Sequence, residues 1–373
     1  SIRRQRQMCI RDRRSGDVWA AGSHKGIAAS AYLQNSKWIR QVYPTLSWNI
    51  DFRGVFEDKD GALWFGGNVD IQVAKGQKGG TIVIENPAHD KINYSHNITM
   101  QKEPSVYGLG QSQDGRMWLT GIGTCVLDSG IWKMGSNPEE LKYHADYMCS
   151  AEDGQLWIGS RNYGLFHHNG DEWRRYTIED GLASNSITYI LPESDNCVWI
   201  ATDKGISKFD GESWANNVFP AKLTIIREGG SLRRSSKGDI WINKRTREWT
   251  RRVLSQDKLL TDKMKEFWTV FYKPDKQAPQ TKIVIYDEQV YQPGNTIISW
   301  EGFDLWAKTP IEKLQYSYRM DGGKWSPFSY KTNNIFLSLP AGDHVFEVRS
   351  RDIDYNIDAE PAKVEFNVAP PFY

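Results

Sequence analysis

Residues 153–173 read DGQLWIGSRNYGLFHHNGDEW and contain every part of a unit that recurs along the chain. An Asp-Gly turn precedes a strand-like run around Trp157, and a polar loop, a second apolar run, an Asn-Gly turn and another Trp follow. Glycine and asparagine accept the left-handed backbone of tight turns at little cost. Apolar or alternating runs on both sides of such a turn predict antiparallel strands. The unit is therefore predicted to be a small antiparallel sheet.

The tryptophan of this unit recurs at intervals of 45, 54, 39, 42 and 42 residues. The aligned residues are Trp19, Trp64, Trp118, Trp157, Trp199 and Trp241. Three positions before them stand the turn residues Gly16, Gly61, Gly115, Gly154, Asn196 and Gly238. Four short strands in about 40 to 45 residues are typical of one blade of a β-propeller. We assign the tryptophans to packing between blades.

The fold class predicted for residues 14–275 is an all-β propeller with six recognisable blades. A seventh blade is the alternative for the intact array, because residues 246–275 fit the repeat poorly. The run LLTDKMKEFW within that stretch fits either a helix or a closing strand. The long spacing between the second and third tryptophans also predicts an inserted hairpin.

A second domain is predicted from residue 276 to residue 373. Two prolines within the polar run KPDKQAPQTK mark the boundary, and the repeat stops there. Six strand-like segments then follow, separated by Pro, Gly and Asp turns. This pattern predicts a C-terminal immunoglobulin-like β-sandwich.

Composition excludes several classes of protein. The chain has 47 Lys and Arg against 46 Asp and Glu, so no net field attracts nucleic acid. The four cysteines, Cys9, Cys125, Cys149 and Cys197, form no C-x-x-C pair, which argues against a zinc site and a dense disulfide framework. The signatures of a nucleophile elbow, a zinc protease and a phosphate-binding loop are not found in the sequence. We predict no metal and no cofactor.

Residues 1–13 are interpreted as an artefact or a disordered segment. The stretch MCIRDR, Met8 to Arg13, is what a common transposon-based sequencing adapter encodes when it is read in frame. We therefore expect the true start to be missing, and the lack of an apolar leader then carries no information about location.

The two halves together resemble two-component regulator propeller repeats followed by a Y_Y_Y domain. DGQLWIGS at 153–160, NYGLFHHNGDEW at 162–173 and EDGLASNSI at 179–187 fit the repeat. The residues that fit the sandwich pattern are Tyr316, Tyr318, Asp321, Gly322, Trp325, Leu339, Gly342, Phe346 and Val348. His344 departs from this pattern, because it stands where the family usually has Tyr.

The resemblance implies the periplasmic, extracytoplasmic part of an inner-membrane signalling receptor. In that family the sandwich runs into a Pro-Pro-aromatic-aromatic segment before a transmembrane helix, and this chain stops at VAPPFY. A histidine kinase, diguanylate cyclase or other output module is expected inside the cell. The resemblance also implies a homodimer through the C-terminal sandwich in the full-length receptor.

Ligand binding is predicted on one propeller face, formed by loops between the second and third strands of blades and by loops between blades. The expected ligand is a glycan fragment or another small polar molecule. The candidate residues are His24, Lys25, Arg161, Asn162, Tyr163, Ser184, Asn185, Asp203, Lys204, Lys244 and Arg245.

Two other functions remain open at this point. One is a lyase or hydrolase with His24 as the base, since some propellers of similar repeat pattern are lyases. The other is an ectodomain that binds a protein partner without a small ligand. His167 and His168 are not predicted to form a metal site, because adjacent strand residues point to opposite faces.

Overall fold

The computed structural model describes residues 9–12, 15–24, 27–44, 49–68, 80–85, 95–98, 106–121, 123–135, 138–142, 145–151, 153–193, 197–216, 219, 231–235, 238–255, 258–305 and 308–371. These residues form β-strands, turns and short 3-10 helices, for example Glu139–Lys142 and Ile178–Asp180. No helix among them is long and apolar enough to span a bilayer.

The repeat region contains 23 strands in six sheets. The strands are β1 Cys9–Asp12, β2 Val18–His24, β3 Ile27–Gln34, β4 Lys37–Tyr43, β5 Asn49–Glu57, β6 Leu63–Asn68, β7 Gly80–Ile84, β8 Ser95–Ile98, β9 Gly108–Gln111, β10 Met117–Thr120, β11 Thr124–Asp128, β12 Ile131–Met134, β13 Tyr147–Ser150, β14 Leu156–Gly159, β15 Leu165–His168, β16 Trp173–Tyr176, β17 Ile187–Pro192, β18 Val198–Thr202, β19 Gly205–Phe209, β20 Trp214–Ala215, β21 Ser231–Arg234, β22 Ile240–Ser255 and β23 Lys258–Tyr272.

Five of these sheets have four strands each, and their strands follow one another in chain order, as the blades of a propeller do. The sixth sheet has three strands, β21-β22-β23. The run LLTDKMKEFW lies in β23, so its helical alternative is wrong. β7 and β8, within the long spacing, pair as a hairpin and complete the second sheet. The all-β propeller predicted from the repeat is confirmed.

The anchor tryptophans of the first five sheets are buried, which confirms their assignment to packing. The indole Nε1–H of Trp64 donates to the Asp58 carboxylate at 2.8 Å, and that of Trp118 donates to the Ser112 hydroxyl at 2.9 Å. Each acceptor stands six residues before its tryptophan, across the Asp-Gly turn. The predicted turn glycines that the structure describes, Gly16, Gly61, Gly115, Gly154 and Gly238, all have φ between 82° and 86°.

The sixth anchor does not follow this pattern. Trp241 is 44% exposed and lies against Phe271, with ring centroids 5.0 Å apart. The assignment of Trp241 to the interior was therefore wrong. Within the described part of the chain its sheet has three strands, and periodicity alone does not report what covers a strand.

The side chain that lies over an anchor tryptophan differs from sheet to sheet. In the first sheet Tyr32 stacks on Trp19 at 5.0 Å. In the fourth sheet His167 is paired with Trp157 across the strands and stacks on it at 3.9 Å, almost parallel. In the fifth, the Lys208 ammonium lies 4.9 Å from the Trp199 ring. The position opposite the anchor tryptophan is therefore occupied by aromatic side chains in some sheets and by a cationic side chain in another.

The chain divides into two compact units. The first contains residues 1–208, 219–233 and 242–270, and the second contains residues 209–218, 234–241 and 271–373. The predicted domain limits at residues 13 and 275 remain predictions. Cys9–Asp12, within the stretch interpreted as an artefact, pairs with β2 in this structure, and its origin stays a prediction.

The second unit contains a two-sheet sandwich. Its strands are β24 Gln280–Ile285, β25 Gln289–Val290, β26 Thr296–Phe303, β27 Gln315–Met320, β28 Asn333–Phe336, β29 Gly342–Arg351 and β30 Ala362–Val368. The sheets have the orders β24-β26-β28 and β25-β30-β29-β27. Trp300, Tyr316, Phe346 and Val348 lie in the core between them. The two-sheet sandwich agrees with the prediction, and its immunoglobulin type stays a prediction.

His344, the departure from the Y_Y_Y pattern, is buried at the start of β29. Its Nδ1 lies 2.8 Å from the Asp321 carboxylate, and its Nε2 lies 2.9 Å from the carbonyl oxygen of Pro340. Burial lowers the pKa of His344, but the bonds to Pro340 and Asp321 outweigh it, and the pKa is raised. The two ring nitrogens of His344 therefore connect the turn that contains Asp321 to the turn that contains Pro340.

Candidate functional site

The loop between β14 and β15 is built on the hydroxyl of Ser160. This residue is fully buried, and its Oγ accepts hydrogen bonds from the backbone N–H groups of Asn162 and Tyr163, both at 3.3 Å. The loop therefore turns sharply. It leaves Arg161 and Asn162 exposed and Tyr163 half-buried.

The connection from β16 to β17 begins with the 3-10 helix Ile178–Asp180. The N–H of Thr177 donates to the Asp180 carboxylate at 2.8 Å, and the N–H of Glu179 donates to the Thr177 hydroxyl at 3.2 Å. These reciprocal bonds form a capping box. Gly181 ends the helix with φ of +106°, a conformation that glycine adopts without strain. The EDG part of EDGLASNSI thus fixes the entry to the loop.

Ser184 and Asn185 fix the rest of this connection. The Ser184 hydroxyl is buried and accepts a hydrogen bond from the Ser186 N–H at 3.2 Å. The Asn185 Oδ1 accepts one from the Ile178 N–H at 3.0 Å. Both side chains are used in holding the loop together, a role that the sequence prediction did not include.

Backbone hydrogen bonds join three loops of the fourth and fifth sheets into one surface. The Gly164 N–H donates to the Asn185 carbonyl at 2.9 Å, and the Ile187 N–H donates to the Ser160 carbonyl at 2.9 Å. The Asp203 N–H donates to the Ser186 carbonyl at 3.3 Å. We call this surface the three-loop site. It contains seven predicted residues, namely Arg161, Asn162, Tyr163, Ser184, Asn185, Asp203 and Lys204.

The other predicted site residues are not part of the three-loop site as described. His24 ends β2 in the first sheet, where Nη1 of Arg40 donates to its Nδ1 at 3.3 Å. Lys25 lies outside the described residues. Lys244 and Arg245 lie in β22, and their side chains are outside the described part of the structure.

Two arginines flank the three-loop site. Nε of Arg161 donates to Oδ1 of Asp146 at 2.7 Å, and the Asp146 side chain is buried while about half of the Arg161 side chain is exposed. Nε of Arg175 donates to the Tyr163 carbonyl at 2.8 Å, and its guanidinium lies 5.6 Å from the Tyr163 ring. Nη1 of Arg175 also reaches Glu140 at 3.2 Å. The phenol ring is therefore held between a fixed loop and a cation.

The chemistry of the three-loop site suits a polar ligand. Within it a guanidinium, an amide, a phenol, a carboxylate and an ammonium group come from adjacent loops. Sites that orient small polar molecules use such sets of donors and acceptors beside aromatic rings.

His167 and His168 have different neighbours, as expected for adjacent residues of a strand. His167 stacks on Trp157, and its Nε2 contacts Oε1 of Gln155. His168 lies against Trp173 with ring centroids 4.7 Å apart. Burial lowers the pKa of His167 to about 4, so its ring is neutral at physiological pH. The described residues contain no group of three or more His, Cys, Asp and Glu side chains placed to hold a metal ion.

Sequence reasoning missed the residues whose side chains hold the loops of the three-loop site in place. Ser160 and Thr202 each stand three residues after an anchor tryptophan, and both hydroxyls accept backbone N–H groups of the following loop. That shared spacing was a signal that could have found them. Asp146 gave no such signal, because it precedes β13 in a segment without a repeat motif.

Several solved structures are similar to this chain at low identity. The extracellular domain of a proposed hybrid two component system from B. thetaiotaomicron has 15% identity and a TM-score of 0.41, over 97% of this chain and 55% of that chain. A second B. thetaiotaomicron extracellular domain, of a proposed one component system, has 15% identity and a TM-score of 0.37, over 97% and 68%. An inactive variant of virginiamycin B lyase from Staphylococcus aureus has 13% identity and a TM-score of 0.48, over 68% and 83%.

The chain thus spans 55% of the length of the first of these structures. No curated protein sequence matches it. One family model does, and it covers the centre of the three-loop site. Residues 181–204, from the Gly181 cap to Lys204, match the family described as Two component regulator propeller.

Proposed function

We propose that this chain belongs to the sensing region of a bacterial two-component receptor on the periplasmic side of the inner membrane. The match of residues 181–204 to the two-component regulator propeller carries this proposal. In the proposal the three-loop site binds a small polar ligand such as a glycan fragment, and the sandwich relays the binding. The segment itself does no chemistry, and the output module belongs to the remainder of the receptor.

The geometry of the three-loop site supports ligand binding in a specific way. Its scaffold is closed by internal hydrogen bonds of Ser160, Asn185 and Thr202, so the loop shape does not need a ligand to form. Asn162 and Lys204 are exposed, and the hydrogen bonds that the structure gives them are made by their backbone N–H groups. A preformed site with available side chains loses less entropy on binding.

The test is a thermal-shift screen of the whole chain against mono- and oligosaccharides, with product analysis of each compound that raises the melting temperature. A ligand that binds only the native state at 100 times its Kd stabilises it by about 2.7 kcal/mol. We expect a rise in melting temperature with the compound recovered unchanged. The double variant Asn162→Ala, Lys204→Ala should abolish the rise while it leaves the melting temperature without ligand unchanged.

Arg116→Ala is the matched control. This arginine is exposed beside the Asp-Gly turn of the third sheet, where it pairs with Asp114 at 2.5 Å. The control should keep the full ligand response. Turnover of the compound would replace the sensing proposal by an enzymatic one. A screen without any response would favour a protein partner as the signal.

We further propose that the receptor is a homodimer through the sandwich. The outer face of the sheet β24-β26-β28 carries Ile297 and Ile335 directly opposite each other, 44% and 62% exposed. Ile285 and Leu337 are also exposed at this sheet. Contiguous exposed aliphatic side chains favour burial against an apolar surface, and a two-fold axis would bring the same face of a second copy onto it.

Sedimentation velocity of the whole chain across a concentration series tests the dimer. We expect concentration-dependent dimerisation that Ile335→Lys removes. Ile311→Lys is the control, because Ile311 is 64% exposed and lies on the 3-10 helix Ile311–Lys313, outside the strands of this sheet. A monomer at every concentration, or equal behaviour of both variants, would count against this interface.

A further inference from the structure

Arg351, at the end of β29, forms hydrogen bonds through all three of its guanidinium nitrogens. Its side chain is 2% exposed. Nε and Nη2 both donate to Oε1 of Gln315, at 2.9 and 2.7 Å. Nη2 also donates to the Ser213 hydroxyl at 2.7 Å, and Nη1 forms an ion pair with Oδ2 of Asp210. A buried guanidinium without such partners would strongly destabilise the fold.

Two aromatic rings enclose the same guanidinium. The Phe328 ring lies 4.3 Å from the Arg351 Cζ, and the Tyr355 ring lies 4.0 Å from it. Stacking of this kind suits the planar, weakly hydrated guanidinium and not an ammonium. The geometry therefore selects arginine at this position.

Asp210 and Ser213 belong to the segment Phe209–Val218, and two further side chains of the sandwich bind that segment. Nε2 of Gln315 donates to the Trp214 carbonyl at 2.7 Å. The Asn216 N–H donates to the Tyr330 hydroxyl at 3.1 Å. Residues 210–216 of the segment are thus held by Arg351, Gln315 and Tyr330.

The preceding repeat shows that the turn itself does not need a carboxylate at position 210. Asn169 stands at the equivalent place in the fourth repeat, and its Oδ1 accepts the N–H groups of Asp171 and Glu172 at 3.0 and 2.9 Å. Oδ1 of Asp210 accepts the Glu212 N–H at 2.9 Å and that of the next residue at 2.7 Å. The same turn forms with Asn or Asp, and only the Asp leaves a second, charged oxygen for Arg351.

We propose that Asp210 and Arg351 form a latch that holds residues 210–216 on the sandwich and releases them together when the ion pair is broken. Burial raises the pKa of Asp210, but Arg351 and the turn N–H groups outweigh it and the pKa is lowered, which agrees with a charged latch. The segment begins at the last residue of β19 and contains β20.

Hydrogen exchange of the whole chain, followed by mass spectrometry, tests the latch. Asp210→Asn keeps the turn and removes the charge, since it copies the fourth repeat. We expect exchange in the peptide 211–216 to become at least tenfold faster, while the peptide 169–173 keeps its rate. Ser213→Ala, which removes a neutral partner of Arg351, should have a smaller effect in the same peptide.

Glu347→Gln is the matched control. Glu347 forms a two-point ion pair with Arg319 on the same two strands, at 2.6 and 2.8 Å, and does not touch the segment. It should leave peptide 211–216 unchanged. An unchanged peptide 211–216 in Asp210→Asn would overturn the latch, and so would an equal acceleration in β29 and β30, which would indicate general loosening of the sandwich. The measurement needs no ligand, so failure of the sensing proposal leaves its outcome intact.

Discussion

The carboxyl group of Asp352 is expected to make the sandwich less stable as pH rises through the range from about 4 to about 6. Asp352 is 2% exposed, directly after β29. Burial raises its pKa from 3.8 to about 6, although it accepts N–H groups of Asp354 and Asn356 at 2.9 and 2.8 Å. In this range the native state binds the proton that the unfolded chain releases, so rising pH favours unfolding.

The magnitude follows from the shift of about two pKa units. One unit corresponds to about 1.4 kcal/mol, so ionised Asp352 costs the fold about 3 kcal/mol at neutral pH, and this cost disappears once the pH is well below 3.8. Asp352→Asn cannot ionise and lacks this dependence. At pH 4 the unfolded carboxyl is already partly ionised, so we expect the stability difference, variant minus wild type, to be about 2.4 kcal/mol more favourable to the variant at pH 7.5 than at pH 4.

Pulse-labelled hydrogen exchange of β29 across a urea titration measures this difference at the two pH values. Comparison of variant and wild type at each pH cancels the titration of all other groups. Peptides from β14 in the first unit serve as the internal control and should show no difference. A pH-independent difference in β29, or one of opposite sign, would refute the assignment of a raised pKa to Asp352.

Three further predictions concern the first unit. Asp58→Ala leaves the buried indole N–H of Trp64 without its acceptor, and urea unfolding should show a loss of about 1–3 kcal/mol in the free energy of unfolding. An unchanged urea midpoint would contradict this prediction. Gly159→Ala places a Cβ 2.5 Å from Cγ2 of Ile187 and should lower the free energy of unfolding by about 1–3 kcal/mol in the same assay. Gly22→Ala has open space at its Cβ and should cost less. Equal losses of stability in the two variants would count against the packing argument. Burial raises the pKa of Cys125 to about 11, so iodoacetamide at pH 8 should label this thiol only after the protein unfolds. Peptide mass spectrometry measures the labelling, and equal labelling rates with and without urea would contradict the burial of Cys125.

The repeat could be predicted because its signals are local. A turn glycine and a tryptophan three residues later determine a hairpin and its buried side, and Gly61 with Trp64 illustrates both in the structure. The sequence also allowed the prediction that Arg161 and Lys204 lie in one site, because antiparallel strands place alternate loops at the same end of the sheet.

What the sequence did not reveal depends on partners that are distant in the chain. Trp241 carries the same motif as the other anchors but is exposed. The hydrogen bond from Arg351 to Ser213 spans 138 residues, and no local pattern marks either residue. Burial and pairing of this kind are decided by tertiary packing, which a period of about 40 residues does not encode.

The position across from each anchor tryptophan carries an evolutionary implication. The repeats keep their indole and a glycine or asparagine in the turn before it, yet Tyr32, His167 and Lys208 lie over the indoles of three of them. Three different side chains are therefore accepted beside an unchanged anchor, at a position that is half-buried in two of the repeats and buried in the third. Each repeat can therefore change the charge or the ring at this position while its strands pair as before. A tandem array can in this way contain chemically distinct blades with the same backbone structure.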